Sequence, residues 1–262
     1  MADWNNAVYY RSTRYLLGKK VRVTVDSTYR KKLPGRGYKY INCGMANVGK
    51  GEAKRTFIIG EERPVDSFTG RIIAVAKVKD TKQEYYIVSP ERTVFYEPDI
   101  EFLVGKYIDV PGKIDYICLN EKSCGAVLYT YKDGIRYYVL IKNMSGHIGF
   151  PKGHVEFGEN EHKTAEREIY EETGIHTKIT DGFRESYRYT INGFIHKEAI
   201  YFVASFNSET EIKMQIMEIS EYMLVTFEQA LKILNYPHDR TVMRKADNFI
   251  SEKMLKQSQS KR

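Results

Sequence analysis

The sequence predicts a multi-domain chain: a small β-barrel followed by a larger unit that mixes strands and helices. Three observations predict it. Short apolar runs crowd residues 20–88, with glycines and prolines between them. The pattern changes after Val110-Pro111-Gly112-Lys113, where strands begin to alternate with helices. The charge is also uneven, which suggests two units with different partners. Residues 1–120 hold 21 basic and 14 acidic side chains, and the remainder holds 20 of each.

Taken in order, 20–26 (KVRVTVD) alternates apolar and polar, the period of a strand. Residues 56–60, 71–78 and 84–88 are β-branched or aromatic runs that also suit strands, and 97–107 suits a helix or turn. Residues 123–130 and 135–141 read as two strands joined through Lys132-Asp133-Gly134, a hairpin signal. A glycine-rich loop then leads into a charged helix from Asn160 to Thr173, closed by Gly174. Strands are expected near 182–190, 196–206 and 220–226, and helices near 227–234 and 239–254. The domains are therefore placed at 1–113 and 114–262.

Composition narrows the function classes. Of 262 residues 42% are hydrophobic, enough for buried cores, and 29% are charged, which excludes a fibrous or wholly disordered chain. No run of about 18 apolar residues exists, so no membrane partner is expected. The N-terminus lacks the apolar stretch of a secretion signal. Three cysteines (Cys43, Cys118, Cys124), without a CxxC pair, suit a reduced, cytoplasmic setting. The net charge of +7 favours polyanionic partners such as nucleic acid or polyphosphate, although a plain solvated surface is equally compatible. Nothing in the composition specifies an oligomeric state.

The most informative stretch is 153–175, GHVEFGENEHKTAEREIYEETGI. Glu168, Glu171 and Glu172 stand at i, i+3 and i+4, on one face of a helix, where like charges repel by roughly 0.2–0.5 kcal/mol per pair. Clustered carboxylate oxygens are what hard cations such as Mg²⁺ require, and Mg²⁺ favours phosphate-bearing substrates. By spacing alone an ordinary charged surface helix is the commoner explanation. The complete pattern is more specific: Gly153, five residues, Glu159, seven residues, then Arg167-Glu168-Ile169-Tyr170-Glu171-Glu172-Thr173-Gly174-Ile175.

That pattern resembles the box of the Nudix hydrolase superfamily, over a similarity that spans about residues 118–255. The resemblance implies an α/β/α sandwich with a mixed sheet and hydrolysis of a nucleoside diphosphate linked to another group. It implies Mg²⁺, or Mn²⁺, held by Glu171, Glu172, Glu168 and the Gly153 carbonyl, with Glu168 as a further ligand or as the base. Arg167 would orient the carboxylates and Glu159 would brace the loop.

Neighbouring segments narrow the resemblance. Residues 149–157 (GFPKGHVEF) are similar to the asymmetric dinucleoside tetraphosphate hydrolases and to RNA 5′-pyrophosphohydrolases. Lys152 would hold a phosphate oxygen, with His154 in the same loop motif, unless the lysine merely faces solvent. Tyr189, with Tyr187 as its neighbour, would stack on a base, although alternating tyrosines also suit plain sheet packing. Residues 217–230 resemble the region that supplies one more catalytic, metal-binding carboxylate: Glu218, with Glu221 as the alternative if the register slips. The subfamily has Trp where this chain has Leu224. The expected activity is asymmetric cleavage of dinucleoside tetraphosphates. The alternatives are RNA 5′-pyrophosphate removal, or a non-catalytic nucleotide sensor or RNA binder.

The first domain resembles small inorganic pyrophosphatases, which have an OB-like barrel, through LGKKVRVTVDS (17–27), YKYINCGM (38–45), GKGEAKRTFIIG (49–60), PVDSFTGRIIAVAKV (64–78) and EYYIVSPERTVFYEPDI (84–100). The family's GDGEExDA becomes GKGEAKRT. Lys50 and Arg55 replace its two aspartates and Ala53 its second glutamate, so Mg²⁺ would be repelled and pyrophosphatase activity lost. Lys50, Lys54 and Arg55 could instead hold an anion, with RNA or polyphosphate as the partner. The other reading is a domain kept for stability or dimerisation.

Overall fold

The computed structural model describes residues 13–33, 37–48, 52–156, 158–191, 193, 195–214 and 219–259. Lys50 and Glu218, two of the expected site residues, lie outside them. Residues 1–121 with 189–197 form one compact unit, and 122–188 with 198–262 form a second.

The first unit is built on β1 (Lys20–Leu33), β2 (Gly37–Ala46), β3 (Lys54–Ile58), β4 (Ser67–Val78), β5 (Glu84–Ser89) and β6 (Ile114–Cys118). Their order is β1-β2-β3-β5-β4-β6, and β1 pairs with β4 as well. β3 and β5 run parallel, while β1–β2, β1–β4, β2–β3, β4–β5 and β4–β6 are antiparallel. Alternation predicted in 20–26 holds at its apolar positions: Val21 and Val23 are buried, and Lys20, Arg22 and Thr24 are exposed. Helix α1 (Glu97–Val104) buries Ile100, Leu103 and Val104 against the same core as Ile41, Phe57, Ile73 and Ile87. The sequence boundary at 113/114 needs correction. Residues 114–118 pair with β4 from Ala74 to Val78, so the first unit continues to 121. A five-residue apolar run does not reveal its partner, and Pro111-Gly112 marks a turn within the unit rather than its end.

The second sheet holds β7 (Asn120–Lys132), β8 (Ile135–Asn143), β9 (Ile148–Gly149), β10 (Lys152–His154), β11 (Glu185–Ile191), β12 (Ile195–Ser205) and β13 (Ile219–Val225); residues 120–121 of β7, 189–191 of β11 and 195–197 of β12 belong to the first unit and the rest to the second. The sheet order is β11-β12-β7-β8-β13, with β10 on β7 and β9 on β8. The two-residue turn between β7 and β8 places Asp133 at φ 51° and Gly134 at φ 76°, the left-handed pair that a tight hairpin requires.

Helices cover both faces, and the period of two says which residue meets which helix. Cys124, Ala126, Leu128, Val139, Ile141, Ile200 and Phe202 pack with Ala165 and Ile169 of α2 (Glu161–Thr173). Their sequence neighbours Tyr138 and Tyr201 point the other way. The Tyr138 hydroxyl bonds Asp247, and the Tyr201 hydroxyl reaches Asp239, both on α4 (Pro237–Gln259). Arg136 adds bonds to Asp247 at 2.8 Å and Ser251 at 3.0 Å. A short helix, α3 (Phe227–Ile233), starts at a Thr226/Gln229 capping box. The result is an α/β/α sandwich. Among the described residues no helix is long and apolar enough to cross a membrane, and Cys43, Cys118 and Cys124 are all free and buried.

Candidate active site

Helix α2 begins and ends where the sequence predicts. The Asn160 side chain accepts from the Lys163 amide, and Gly174 closes the helix at φ 70°. Its buried face, Thr164, Ala165, Glu168, Ile169 and Glu172, is part apolar and part acidic. The apolar part fixes the helix on the sheet. The acidic part then meets β10, which hangs on β7 through the pairs Lys152–Gly125, Gly153–Cys124 and His154–Ser123. A side chain at Gly125 would strike the Pro151 carbonyl, so only glycine lets β10 lie this close.

Arg167 organises the carboxylates. Its Nε and Nη2 donate to the two oxygens of Glu159 at 2.8 and 3.0 Å. Nη1 donates to Glu168 at 2.8 Å and Glu171 at 2.9 Å, and Nη2 also reaches the His154 carbonyl at 2.8 Å. One planar fork thus joins loop, strand and helix, which a lysine could not do. Glu159 further accepts from the Thr164 hydroxyl at 2.7 Å and the Glu156 amide at 3.1 Å. The Glu172 carboxylate accepts from the Lys152 amide at 2.9 Å, tying the helix to the proline-lysine-glycine loop.

The carboxylates differ in electrostatics. Hydrogen bonding to Arg167 is the main cause that holds Glu159 down at about 2, with burial opposing it. Glu168 is 7% exposed, and burial pushes its pKa up against the pull of Arg167. Linkage follows with opposite signs. Glu159, depressed in the folded state, adds stability at neutral pH, fully present above its unfolded value of 4.5 and lost as pH falls through about 2. Glu168, raised by folding, favours the fold only on the acid side. Acid titration of the metal-free protein is expected to show a stability loss between pH 4.5 and about 2, followed by circular dichroism. An Arg167→Ala protein should lack that component, and an identical acid profile for both proteins would contradict the pairing.

Gly153 faces Glu168 so closely that an added Cβ would coincide with its carboxylate. Gly153→Ala is therefore expected to displace Glu168 and cut turnover by about 10²-fold, the usual cost of misplacing a reacting group by ~1 Å. The melting temperature should change little, since the side chain that moves is the flexible end of a glutamate. Activity within threefold of the native chain would show that the close approach is dispensable.

The remaining expected residues are placed as follows. Glu171 is half-exposed on the outer side of the Arg167 fork. His154 is exposed on β10, and its carbonyl accepts from Arg167. Tyr187 stacks on His238 with ring centroids 4.4 Å apart, so the chain itself covers one of its faces. Tyr189 falls in the segment grouped with the first unit. Glu221 is exposed on β13 and lies 3.8 Å from Lys142. In the first unit, Arg55 is bound by Asp26 at 2.5 Å and Ser27 at 2.9 Å, and Lys54 lies 3.8 Å from Glu84. The chain's own carboxylates thus already face the cations expected to hold an anion, a compensation across strands that spacing does not reveal. Residues missed by sequence reasoning are Thr164, which holds Glu159, and Glu161, which anchors Lys122 at 2.6 Å and Arg184 at 2.7 Å. Both lie inside the box at positions where it sets no residue.

The donor set suits a divalent cation in kind: hard carboxylate oxygens, with the buried Glu168 carboxylate lying directly against Gly153. Among the described residues no three ligating side chains already converge as a cage, because Glu168 and Glu171 are turned to Arg167. The residues fit the ion in kind.

The NUDIX domain model matches residues 122–246. The asymmetrical bis(5'-nucleosyl)-tetraphosphatase of Mus musculus is 32% identical over 141 residues, covering 49% of this chain and 95% of that protein. MutT4 of Mycobacterium tuberculosis is 31% identical over 144 residues, and the chain spans only 57% of its length. A solved Caenorhabditis elegans Ap4A hydrolase binary complex is 28% identical, with a TM-score of 0.48, over 50% of this chain and 98% of that one. The chain belongs to the Nudix family of pyrophosphohydrolases.

Proposed function

We propose that the chain hydrolyses dinucleoside tetraphosphates asymmetrically, releasing ATP and AMP from diadenosine tetraphosphate. The observation that carries the reading is the fork of Arg167 over Glu159, Glu168 and Glu171, beside the Glu172–Lys152 tie. Similarity to the mouse tetraphosphatase, over nearly the whole of that protein, supports the substrate class. Glu168, Glu171, Glu172 and the Gly153 carbonyl would hold Mg²⁺, or Mn²⁺ in its place, with Glu218 as one more ligand. The ion supplies charge neutralisation at the phosphates and an acidified water. Where Glu168 serves as the base rather than as a ligand, its burial favours taking the proton of the attacking water. Lys152 places a point charge on the polyphosphate, with His154 beside it, and Tyr187 and Tyr189 are the candidates to contact the bases.

The first unit is read as an OB-like, pyrophosphatase-like barrel without that family's catalysis. What supports the reading is the set of sequence segments described above; the strands themselves form one six-stranded sheet in which β1 also pairs with β4. The Arg55–Asp26 pair argues that residual RNA or polyphosphate binding there is weak and salt-sensitive. Three free cysteines support a reducing, cytoplasmic compartment.

A substrate panel tests the reading: diadenosine tetraphosphate, ATP, triphosphorylated RNA and pyrophosphate, each with Mg²⁺ in ¹⁸O-water. The expected result is preferential cleavage of the tetraphosphate to ATP and AMP, with label in one product only. Faster release of pyrophosphate from RNA would overturn the substrate assignment, and phosphate release from pyrophosphate would overturn the reading of the first unit.

A further inference from the structure

Gly174 does more than end α2. Its φ of 70° turns the chain back along the helix. Residues 176–178 then line a groove together with Lys163, Glu166, Arg167 and Tyr170, a stripe of α2 at i, i+3, i+4 and i+7. The groove has a volume of about 480 Å³, within the range of small-molecule sites. Its walls are tied together. The Glu166 carboxylate accepts from Lys178 Nζ at 2.8 Å and from the Ile179 amide at 3.2 Å. The Thr177 hydroxyl donates to the Ser205 carbonyl at 2.6 Å, and Ile179 bridges to Ala204, so the far wall hangs on the end of β12. The groove is thus built by the fold and needs no ligand to form it.

Its chemistry is aromatic and cationic. The rings of Tyr170 and His176 stack 4.0 Å apart at 19°. Both residues are exposed, Tyr170 by 47%, so the pair presents a flat π platform at the surface. Lys163 and Lys178, both exposed, bring ammonium groups to the same groove. A stacking platform beside ammonium groups matches a base that carries phosphate. An inorganic anion would leave the rings unused, and an apolar ligand would leave the charges unanswered. One residue joins the groove to the catalytic array: Arg167 lines the groove while its Nη1 holds Glu168 and Glu171. The candidates for base contact named above, Tyr187 and Tyr189, sit two residues apart on one strand and serve one end of a dinucleoside substrate. The base at the other end of the phosphates needs a surface of its own.

We propose that this groove is the subsite for the second nucleoside: the Tyr170–His176 stack takes the distal base, and Lys163 and Lys178 face the phosphate next to it. The inference rests on the dinucleoside tetraphosphate reading above. A platform that acts by stacking affects only a ligand with a second base. A pair that merely packs on the helix affects every ligand alike, or none.

The test compares a ligand with two bases and a ligand with one, on the full chain with Mg²⁺. Tyr170→Ala is expected to raise the KM for diadenosine tetraphosphate about tenfold, within the range of one lost base stack, with kcat kept. The inhibition constant of adenosine 5′-tetraphosphate, which has a single base, should not change. Tyr170→Phe keeps the ring and should keep the native KM, whereas His176→Ala should act as Tyr170→Ala does. An unchanged KM in both alanine variants, or an equal shift for the two ligands, overturns the proposal. NMR gives a readout without turnover: a non-cleavable diadenosine tetraphosphate analogue should shift the His176 ring resonances of the native chain, and Tyr170→Ala should abolish the shift. Resonances that ignore the analogue overturn the proposal as well. Shifted His176 signals in a chain that cleaves no tetraphosphate would defeat the functional reading and leave the groove standing as a dinucleotide site.

Discussion

Glu168→Gln and Glu172→Gln should each lower turnover by about 10²–10⁴-fold, the range typical when an acid–base group is removed, without unfolding the chain. The substitutions are chosen because the fold can accept them. A glutamine at 172 keeps a carbonyl oxygen to accept from the Lys152 amide, so the tie between α2 and the loop survives. At 168 it still accepts from Arg167 Nη1. What each variant loses is a negative charge and, at 168, the ability to take a proton from water. Glu168 is the more sensitive position, because its burial concentrates both functions in one side chain. Initial rates at saturating Mg²⁺, with circular dichroism as the fold control, decide the matter. Variants within tenfold of the native rate would remove these residues from the chemistry.

The second large effect is expected at Arg167. Replacing it by alanine strips Glu159 and Glu168, both largely buried, of their shared cation and leaves the His154 carbonyl without its donor. Removing one partner of such a network costs about 3 kcal/mol, so the melting temperature should fall by several degrees and activity should disappear with it. Arg167→Lys is the informative companion. It keeps the charge but offers one ammonium where four acceptor groups are spread around a planar fork. It is expected to recover part of the stability and little of the rate. Calorimetric melting with parallel kinetics measures both. A lysine variant as active as the native chain would show that charge alone suffices and that the fork geometry is incidental.

Much of the catalytic unit could be read from local sequence. The helix carrying Glu168, Glu171 and Glu172 is bounded by an asparagine that caps and a glycine at positive φ, and both signals are contiguous with the helix. The turn at Asp133-Gly134 is equally local. What could not be read is non-local. Arg55 finds Asp26 across 29 residues, so the anion-binding expectation at Lys54 and Arg55 meets an ion pair. Residues 114–118 join the first unit because β4 offers an edge, and nothing within the pentapeptide says so. Asp239 follows a proline and a histidine at a helix start, where an acidic residue ordinarily faces water; only the packing of α4 onto the Tyr201 face of the sheet buries it. Leu224, standing where the subfamily has tryptophan, is exposed on β13, and nothing in its surroundings explains the exchange.

The most direct measurement is a crystal of the full chain grown with Mg²⁺ and a non-cleavable dinucleoside tetraphosphate analogue. The account predicts divalent ions bridging the analogue's phosphates to Glu171, Glu172 and Glu168, with Arg167 still bound to Glu159. An analogue seated elsewhere, or a metal absent from this helix face while the same preparation cleaves substrate, would contradict it.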